Sequence, residues 1–588
     1  MTTKALTNAD SKRVDWQVSS LPCLLFSEKK IGLNTRLKEC IEGFSITDYS
    51  YLVKGDVSGI QDFIFSVKSD KASKSLKGRS FFVQALSKLG IHLLERELLK
   101  ENTKVFYDGG GNFYLLSKVP VSEAVEKARE TIDQHCKASE IYLSLAEMHI
   151  NSLTFTEVWS KINRLSNESK LRKFSSDVFN FNAYPGPKME LDSKPDEEVE
   201  KDFRYDRLTE DSLKNFNRKF GFDPATEAGV DGVGISFFGS KMVLGAGSRD
   251  LEDWVNGLPK WSKPLPEEYD WLVKKRQEEA DGNPKIKAPK SGNIIEFSDL
   301  AAFAHARNGT EKIAVLKMDV DNLGKLFKDL KDWPDAKRAS AAMSWFFGAF
   351  MSDLLLESFQ YKGEAGETQT AKFSDNIYVV FSGGDDTFMV GAWDAVFEFA
   401  YCLHQNFNDF TAELQKQQIK GLPEKITLSA ALVVVDPKFP VVGFADRAEK
   451  ELGEAKRWEN EKGERCKNMI SVFGQILDWN EFGYARDLAI RTANLIQFEG
   501  ESRAIIERVK HVARDYERLQ ERVADGRGPG PKVHRLFYTM RNLKNLKAVE
   551  EDIKSFSTAL LDAFTKGKKV SYPKFPVAAR WAEFLTRK

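Results

Sequence analysis

The sequence predicts an α+β protein built on two copies of one six-element unit, with a mixed α/β segment between them and a helical bundle after the second. Three observations carry this. Short apolar runs of strand length alternate with long amphipathic stretches in the order β-α-β-β-α-β, once near the N-terminus and once after residue 309. In each copy the middle two runs flank a Gly-Gly pair, the signature of a β-hairpin turn. The two copies resemble each other, the mark of an internal repeat.

The second copy is the clearer. Lys312 to Met318 (KIAVLKM) reads as a buried strand that ends in Asp319-Val320-Asp321-Asn322-Leu323-Gly324. Ala336 to Phe359 has helical apolar spacing, and Ile377 to Val390 reads as a hairpin turning at Gly383-Gly384. A helix from Trp393 to Leu414, a strand from Ile426 to Val435 and a helix over Ala445 to Lys456 complete it. In the first copy the elements are a strand at Tyr51–Gly59, a helix at Leu76–Leu99, a hairpin at Val105–Leu116, a helix at Val121–Cys136 and a strand at Ile141–Ile150. This is the ferredoxin-like, or palm, arrangement, in which the end of the first strand lies beside the central hairpin.

The chemistry concentrates at the second hairpin, Phe381 to Val390 (FSGGDDTFMV). Two glycines let the backbone turn tightly and approach a ligand closely. The adjacent carboxylates of Asp385 and Asp386 repel each other, and a divalent cation relieves that repulsion. Mg²⁺ and Mn²⁺ prefer oxygen ligands and share one or two carboxylates with substrate phosphates. The bland alternative is a turn pointing into water. The topology brings Asp319 next to Asp385 and Asp386, so the three carboxylates suit a two-metal site. One ion would activate a ribose hydroxyl and the other would hold a triphosphate. Lys456, a compact charge on the following helix, is a candidate phosphate contact, and spacing alone serves a solvated helix face equally well.

Aligning Gly109-Gly110 with Gly383-Gly384 puts Gly111 and Asn112 where Asp385 and Asp386 stand. The first copy should therefore hold no catalytic metal. Its turn could still bind a nucleotide through backbone N–H groups at Gly109, Gly110 and Gly111, with Ser58 at the end of the neighbouring strand. Two facing palms, one catalytic and one accepting, suit a reaction that joins two nucleotides; a duplication without a ligand is the alternative.

Composition bounds the rest. At 588 residues the chain has room for three to five domains. Lysine plus arginine balances aspartate plus glutamate at 87 each, which argues against a protein that coats nucleic acid unaided. Lys68, Lys71, Lys74, Lys77 and Arg79 form a local basic stretch suited to RNA or to ATP phosphates, or simply to a solvated helix start. No apolar stretch approaches the length of a membrane span and the N-terminus lacks a signal-peptide core, so a cytoplasmic location with no membrane is expected. The five cysteines (Cys23, Cys40, Cys136, Cys402 and Cys466) form no C-x-x-C pair, so no structural zinc is expected. The boundaries are a short N-terminal leader (1–48), a first palm (49–150), an inter-palm α/β domain (151–308), a second palm (309–480) and a C-terminal helical domain (481–588). Within these, Leu153–Leu165 reads as helix, Lys188–Asp206 as a loop, Val230–Gly247 as strand and turn, and Glu278–Gly292 as a linker. Tyr484–Phe498, Glu501–Ala524, Lys532–Leu546 and Ala548–Phe564 read as helices, broken at Gly526–Pro531.

Leu316–Gly324 (LKMDVDNLG), Phe381–Gly391 (FSGGDDTFMVG), Gly55–Phe65 (GDVSGIQDFIF) and Ala72–Phe81 together resemble the large palm-containing Cas10 subunit of type III CRISPR effector complexes. The wording of the motifs is closer to the Csm than to the Cmr branch. The resemblance runs from about Tyr49 to the C-terminus. It implies an RNA-activated nucleotidyltransferase that joins ATP into 3′–5′ cyclic oligoadenylate second messengers; some members join ATP to S-adenosylmethionine instead. Carried over by position, Asp319, Asp385 and Asp386 would bind two Mg²⁺ or Mn²⁺ ions. Gly383 and Gly384 would shape the ATP pocket, with Ser382 and Lys456 beside them. The implied partners are guide crRNA, target RNA, the small helical subunit and the subunit that binds the guide 5′ end. Two departures stand out. Many members begin with an HD nuclease domain. Here about 48 residues precede the first palm, and none of His92, His135, His149, His305, His404, His511 and His534 is followed by Asp, so no DNase activity is expected. Many also carry a zinc-binding cysteine cluster that is missing here. Two other readings remain: a stand-alone diguanylate-type cyclase, which leaves the first palm unexplained, and a non-catalytic scaffold subunit.

Overall fold

Two sheets of like topology organise the chain. The computed structural model describes residues 25–67, 72–136, 141–150, 153–171, 233–237, 240–244, 270–282, 295–307, 309–363, 365–383, 386–459, 463–507, 510 and 574–587. After α1 (Leu25–Glu39) come β1 (Tyr51–Ser58), α2 (Ile60–Phe65), α3 (Ala72–Leu98), β2 (Thr103–Gly109), β3 (Asn112–Ser117), α4 (Ser122–Cys136), β4 (Tyr142–His149) and α5 (Phe155–Lys170). The sheet order is β2-β3-β1-β4, all antiparallel, as the ferredoxin-like order requires.

Between the palms lie the hairpin β5 (Val233–Phe237) and β6 (Ser240–Leu244), then α6 (Asp270–Gly282) and α7 (Phe297–Ala306). The second unit runs β7 (Ile313–Val320), α8 (Leu323–Asp329), α9 (Trp333–Leu356), hairpin β8 (Ser358–Lys362) and β9 (Thr368–Lys372), β10 (Ile377–Gly383), β11 (Asp386–Ala392), α10 (Trp393–Lys416) and β12 (Leu428–Val435). It continues with α11 (Val441–Arg457), β13 (Met469–Val472), β14 (Gln475–Asp478) and α12 (Trp479–Gln497); α13 (Lys574–Thr586) packs on α12. Its sheet order is β10-β11-β7-β12-β13-β14.

Alternation along β7 decides what faces what. Ala314, Leu316, Met318 and Val320 join the core with α9 and α10, while Ile313 and Val315 join the core on the other face. Lys317 and Asp319 continue that second face, since side chains alternate with period two. In β1, Val53 and Val57 face α3 and α4, so Lys54 and Asp56 lie on the opposite face, which α5 covers. Each core draws residues from both palms, and Phe65 of α2 packs on Phe388 of β11 at 4.5 Å between ring centroids. Burial of each such aromatic ring contributes about 1.5–3 kcal/mol.

The structure corrects several expectations. The leader ends in a docked helix: Phe26 packs edge-on against Trp345, Phe350 and Phe410, and its N–H donates to Asn406 Oδ1 at 2.9 Å. Phe26, Leu33 and Leu37 share one face of α1, but its other positions are too polar for the pattern to stand out. The helix expected to reach Phe359 stops at Leu356, and Phe359 lies in β8, where its own aromatic ring, Tyr361 and the threonines of the paired β9 favour a strand. α9 is also long and apolar enough, by length and composition, to cross a membrane, contrary to the expectation that no stretch is; 61% of its apolar window is buried inside the molecule, which makes it a core helix. Glu278–Gly282, expected in a linker, is the last part of α6. Lys188–Asp206, Lys532–Leu546, Ala548–Phe564 and most of Glu501–Ala524 lie outside the described residues. α13, which the sequence reading did not mark, carries Trp581 against Phe397 and Phe482.

Candidate functional site

Asp319 at the end of β7 and Asp386 at the start of β11 are Cα partners in the antiparallel register, and Ser429 of β12 is the partner of Asp319 on the other side. Directly opposed residues point to the same face with Cβ atoms about 5 Å apart. Two carboxylates therefore lie side by side on the face that α11 covers. Gly384 and Asp385 lie outside the described residues; among the described residues no three acidic, His or Cys side chains group as metal ligands.

Cations from this chain meet both acids. Lys456, in the last turn of α11, places Nζ 2.5 Å from Asp319 Oδ1. Lys317 Nζ lies 3.9 Å from Asp386 Oδ2 and also pairs with Glu449 of α11. Burial pushes the Asp319 carboxyl above its ordinary value, the Lys456 ammonium pulls it back, and the nearby Asp321 carboxylate raises it again.

Asp321 anchors this strand end. Its carboxylate accepts from Thr427 Oγ1 at 2.7 Å, Ser429 Oγ at 2.8 Å and the Asn468 N–H at 2.9 Å, and its own N–H donates to the Thr427 carbonyl at 2.8 Å. Asn322 then takes a left-handed conformation at φ 58°, which turns the chain off the sheet into α8. The sequence marked Asp321 only as part of its motif; the Thr and Ser that satisfy it lie over a hundred residues away.

The hairpin is held from behind. β10 is bulged between Val379 and Phe381. The Ser382 hydroxyl donates to the Phe347 carbonyl at 2.7 Å, inside a π-helical turn of α9 over Phe346–Phe350. Such a turn frees carbonyls from the helical ladder, and Ser382 satisfies one. Ser382 thus ties the hairpin to α9. A Cβ added at Gly383 would stand 3.3 Å from the backbone N of Gly110, so the two palms' turns touch.

In the first palm the matching positions are Asp56 and its Cα partner Asn112, with Ser144 on the other side. Asp56 pairs with Lys54 at 3.2 Å and with Lys170 of α5 at 2.7 Å, and the Asn112 amide reaches it at 3.1 Å. Two ammonium groups and an amide already occupy the space a cation would take. Gly111, at φ 79°, is buried, and a Cβ there would meet Ile60 Cδ1 at 2.6 Å. Gly110 is also at positive φ, 60°, and exposed; Gly109 is half-buried, with Tyr107 Oη 2.9 Å from where a Cβ would be. Ser58 Oγ donates to the Tyr142 carbonyl at 3.4 Å. In the basic stretch Arg79 donates to the Phe63 carbonyl and to Ser66 Oγ at 2.5 and 2.6 Å, so it locks α2 to α3; the side chains of Lys68, Lys71, Lys74 and Lys77 lie outside the described residues. Cys40, Cys402 and Cys466 are free thiols.

Known proteins carry both palms. Residues 312–466 match the family described as Cas10/Cmr2, second palm domain, and residues 49–184 match Csm1 subunit domain B. The chain is 30% identical over 493 residues to the CRISPR system single-strand-specific deoxyribonuclease Cas10/Csm1 (subtype III-A) of Methanocaldococcus jannaschii, covering 73% of this chain and 59% of that protein. It is 24% identical over 490 residues to the protein of the same description from Enterococcus italicus, covering 74% and 55%. The chain thus spans little more than half the length of these relatives. Among solved structures, a Csm1-Csm4 cassette in complex with AMPPNP superposes with a TM-score of 0.60 at 19% identity, covering 94% of this chain and 72% of that one. A cassette in complex with cA4 gives 0.58 at 19% identity, covering 92% and 70%. At that identity these two show the fold.

Proposed function

We propose that this chain, a Cas10-like type III CRISPR subunit with a Csm1-type first palm and a Cas10-type second palm, joins ATP molecules into a nucleotide second messenger at its second palm. The observation that carries the reading is the register pairing of Asp319 with Asp386 on the covered face of the second sheet. The bound AMPPNP and cA4 of the superposed Csm1-Csm4 structures support an adenine nucleotide as substrate and a cyclic oligoadenylate as product.

The donor set at this site is all oxygen, which fits Mg²⁺ or Mn²⁺ and no softer metal. Asp319, Asp385 and Asp386 would hold two such ions. When bound, the ions supply charge stabilisation to the attacking and leaving oxygens of an in-line displacement. The residues of the chain do the rest. Lys456 offers its ammonium to the triphosphate once Asp319 turns to a cation. Gly383, with Gly384 after it in sequence, would shape the ATP pocket, and on the accepting side the exposed Gly110 and half-buried Gly109 would line the turn near Ser58, whereas Gly111 is buried against Ile60 and would give no direct contact. The 3′-hydroxyl of one ATP attacks the α-phosphorus of the next; the new P–O bond forms as the bond to pyrophosphate breaks, and the hydroxyl proton leaves to solvent. The shape of the accepting pocket decides between a cyclic oligoadenylate and a conjugate with S-adenosylmethionine.

On this reading the chain works in the cytoplasm within a complex that carries guide crRNA, target RNA, the guide 5′-end-binding subunit and the small helical subunit. Target RNA switches the site on. No DNase activity and no zinc belong to these residues. The test uses the assembled complex with ATP, Mn²⁺ and matching target RNA, with products read by mass spectrometry. Asp386→Ala should abolish the product and leave assembly and RNA binding intact. Undiminished product from this variant would overturn the assignment. GTP turnover by the isolated chain without RNA would point to a cyclase instead.

A further inference from the structure

The two palms carry the same five-position constellation, and two of its positions differ in charge. Lys317 precedes Asp319 by two residues, as Lys54 precedes Asp56, and both lysines are buried, at 3% and 6% exposure. Asp319 opposes Asp386 where Asp56 opposes Asn112. In each palm the strand that closes the six-element unit, β4 or β12, leads into a helix that crosses this face. α11 gives Glu449 to Lys317 and, seven residues on, Lys456 to Asp319. α5 gives Asn163 to Lys54, at 2.9 Å, and, seven residues on, Lys170 to Asp56. Three elements and both pairings are thus repeated. What the first palm has lost is charge: Asp386 and Glu449 stand as the amides Asn112 and Asn163.

The paired loss points to a shared task. Lys317 is an ammonium that cannot leave, because its stem lies inside the sheet face. Left alone with Asp386 it would close from 3.9 Å to a direct contact and compete with any cation for that carboxylate. Glu449, with its side chain 55% exposed on α11, already holds the same ammonium. We propose that Glu449 is a positioning residue that draws Lys317 off Asp386 and so removes this ammonium from competition with a divalent cation for that carboxylate. In the first palm no cation needs room, and a neutral Asn163 suffices for Lys54. The inference rests on the proposal that Asp319 and Asp386 hold cations, and it adds a residue that never touches them.

A bystander and a direct ligand predict different behaviour, and a double-mutant cycle separates them. Mn²⁺ binding to the full chain, without nucleotide, is measured by electron paramagnetic resonance for wild type, Asp319→Asn, Glu449→Gln, Lys317→Met and the Glu449→Gln/Lys317→Met double variant. Glu449 is exposed, so its replacement leaves the fold intact. Methionine matches the buried lysine stem in volume. Glu449→Gln should weaken Mn²⁺ binding by roughly three- to tenfold, the size of a part-buried charge effect. The double variant should recover binding to within about twofold of Lys317→Met alone, because no ammonium remains to be restrained. Unchanged binding in Glu449→Gln would overturn the proposal. An undiminished Glu449→Gln loss on the Lys317→Met background would also overturn it, by making Glu449 a direct ligand. A wild-type chain that takes up no Mn²⁺, or an Asp319→Asn chain that takes it up unchanged, would instead overturn the cation site itself.

Discussion

Gly383 of the second palm and Gly110 of the first meet backbone to backbone: a Cβ on Gly383 would lie 3.3 Å from the Gly110 nitrogen and 3.8 Å from its Cα. A side chain on Gly383 fits only if the turns shift apart, so this contact sets how closely the two palms meet at their hairpins. Gly383 has no positive φ, so a substitution there acts through space and not through backbone strain. Gly383→Val should therefore push the turns apart. We expect product formation by the RNA-activated complex to fall at least about tenfold, with a melting temperature within about 2 °C of wild type. Gly383→Ala, which needs a shift of a few tenths of an ångström, should lose far less. Equal activity in the valine variant would show that the contact does not set the spacing.

Asp321 is 7% exposed and its carboxylate accepts three hydrogen bonds. Asp321→Asn keeps the shape but turns an NH₂ toward donors, which leaves at least one of them unpaired. Such a loss costs about 1–3 kcal/mol for a neutral donor. Thermal unfolding of the chain should shift down by roughly 5 °C. Because the same donors fix the end of β7, product formation should fall as well. A variant as stable and as active as wild type would mean that the anchor is dispensable.

Much of this arrangement follows from local sequence, and the limits are physical. The strand ends at Asp319 and the turn at Gly383 could be placed because alternation and glycine pairs are local signals, and the order of elements then fixes which strands are neighbours. The contacts that tune the site are not local. Glu449 and Lys317 are ordinary residues of a helix and a strand until the face of the sheet is known. Lys170 and Asn163 sit beyond what looked like the end of the first palm, on a helix extending five residues past the expected Leu165. The π-turn at Phe346–Phe350 lies inside an unbroken apolar pattern, so neither it nor its partner Ser382 could be read from spacing.

Lys337 of α9 ties the second palm to the first. Its ammonium donates to the carbonyls of Val105 and Phe106 at 3.0 and 2.6 Å, where the bulge between Val105 and Tyr107 frees them from the β2–β3 ladder. Burial lowers its pKa to about 8. Lys337→Met would leave two buried carbonyls without this donor, a loss of about 1–3 kcal/mol. Urea unfolding should show a lower midpoint. Amide exchange in β2 should speed up relative to β12, because the hairpin loses its brace from the other palm. Uniform exchange across both palms would argue that Lys337 is not what holds them.

His404 supplies a pH dependence whose sign is fixed by its surroundings. It is buried, stacks on Trp479 at 4.1 Å with the rings 7° from parallel, and its Nε2 lies 3.3 Å from Asn468 Oδ1. Burial drives its pKa down to about 3, against a partial offset from Asn468 and a further lowering by Lys425. The folded state thus keeps the ring neutral while the unfolded chain takes up a proton below about 6.5. The unfolded state binds more protons in that window, so stability falls with falling pH, by up to about 1.4 kcal/mol per unit, between about 6.5 and 3. The effect reaches the site, because the Asn468 N–H donates to Asp321. His404→Phe keeps the stack and removes the proton. Melting temperatures of both proteins from pH 7 to pH 4.5 should diverge, with the variant losing less on acidification. Parallel curves would show that His404 is already charged in the folded chain or does not sense the acid limb.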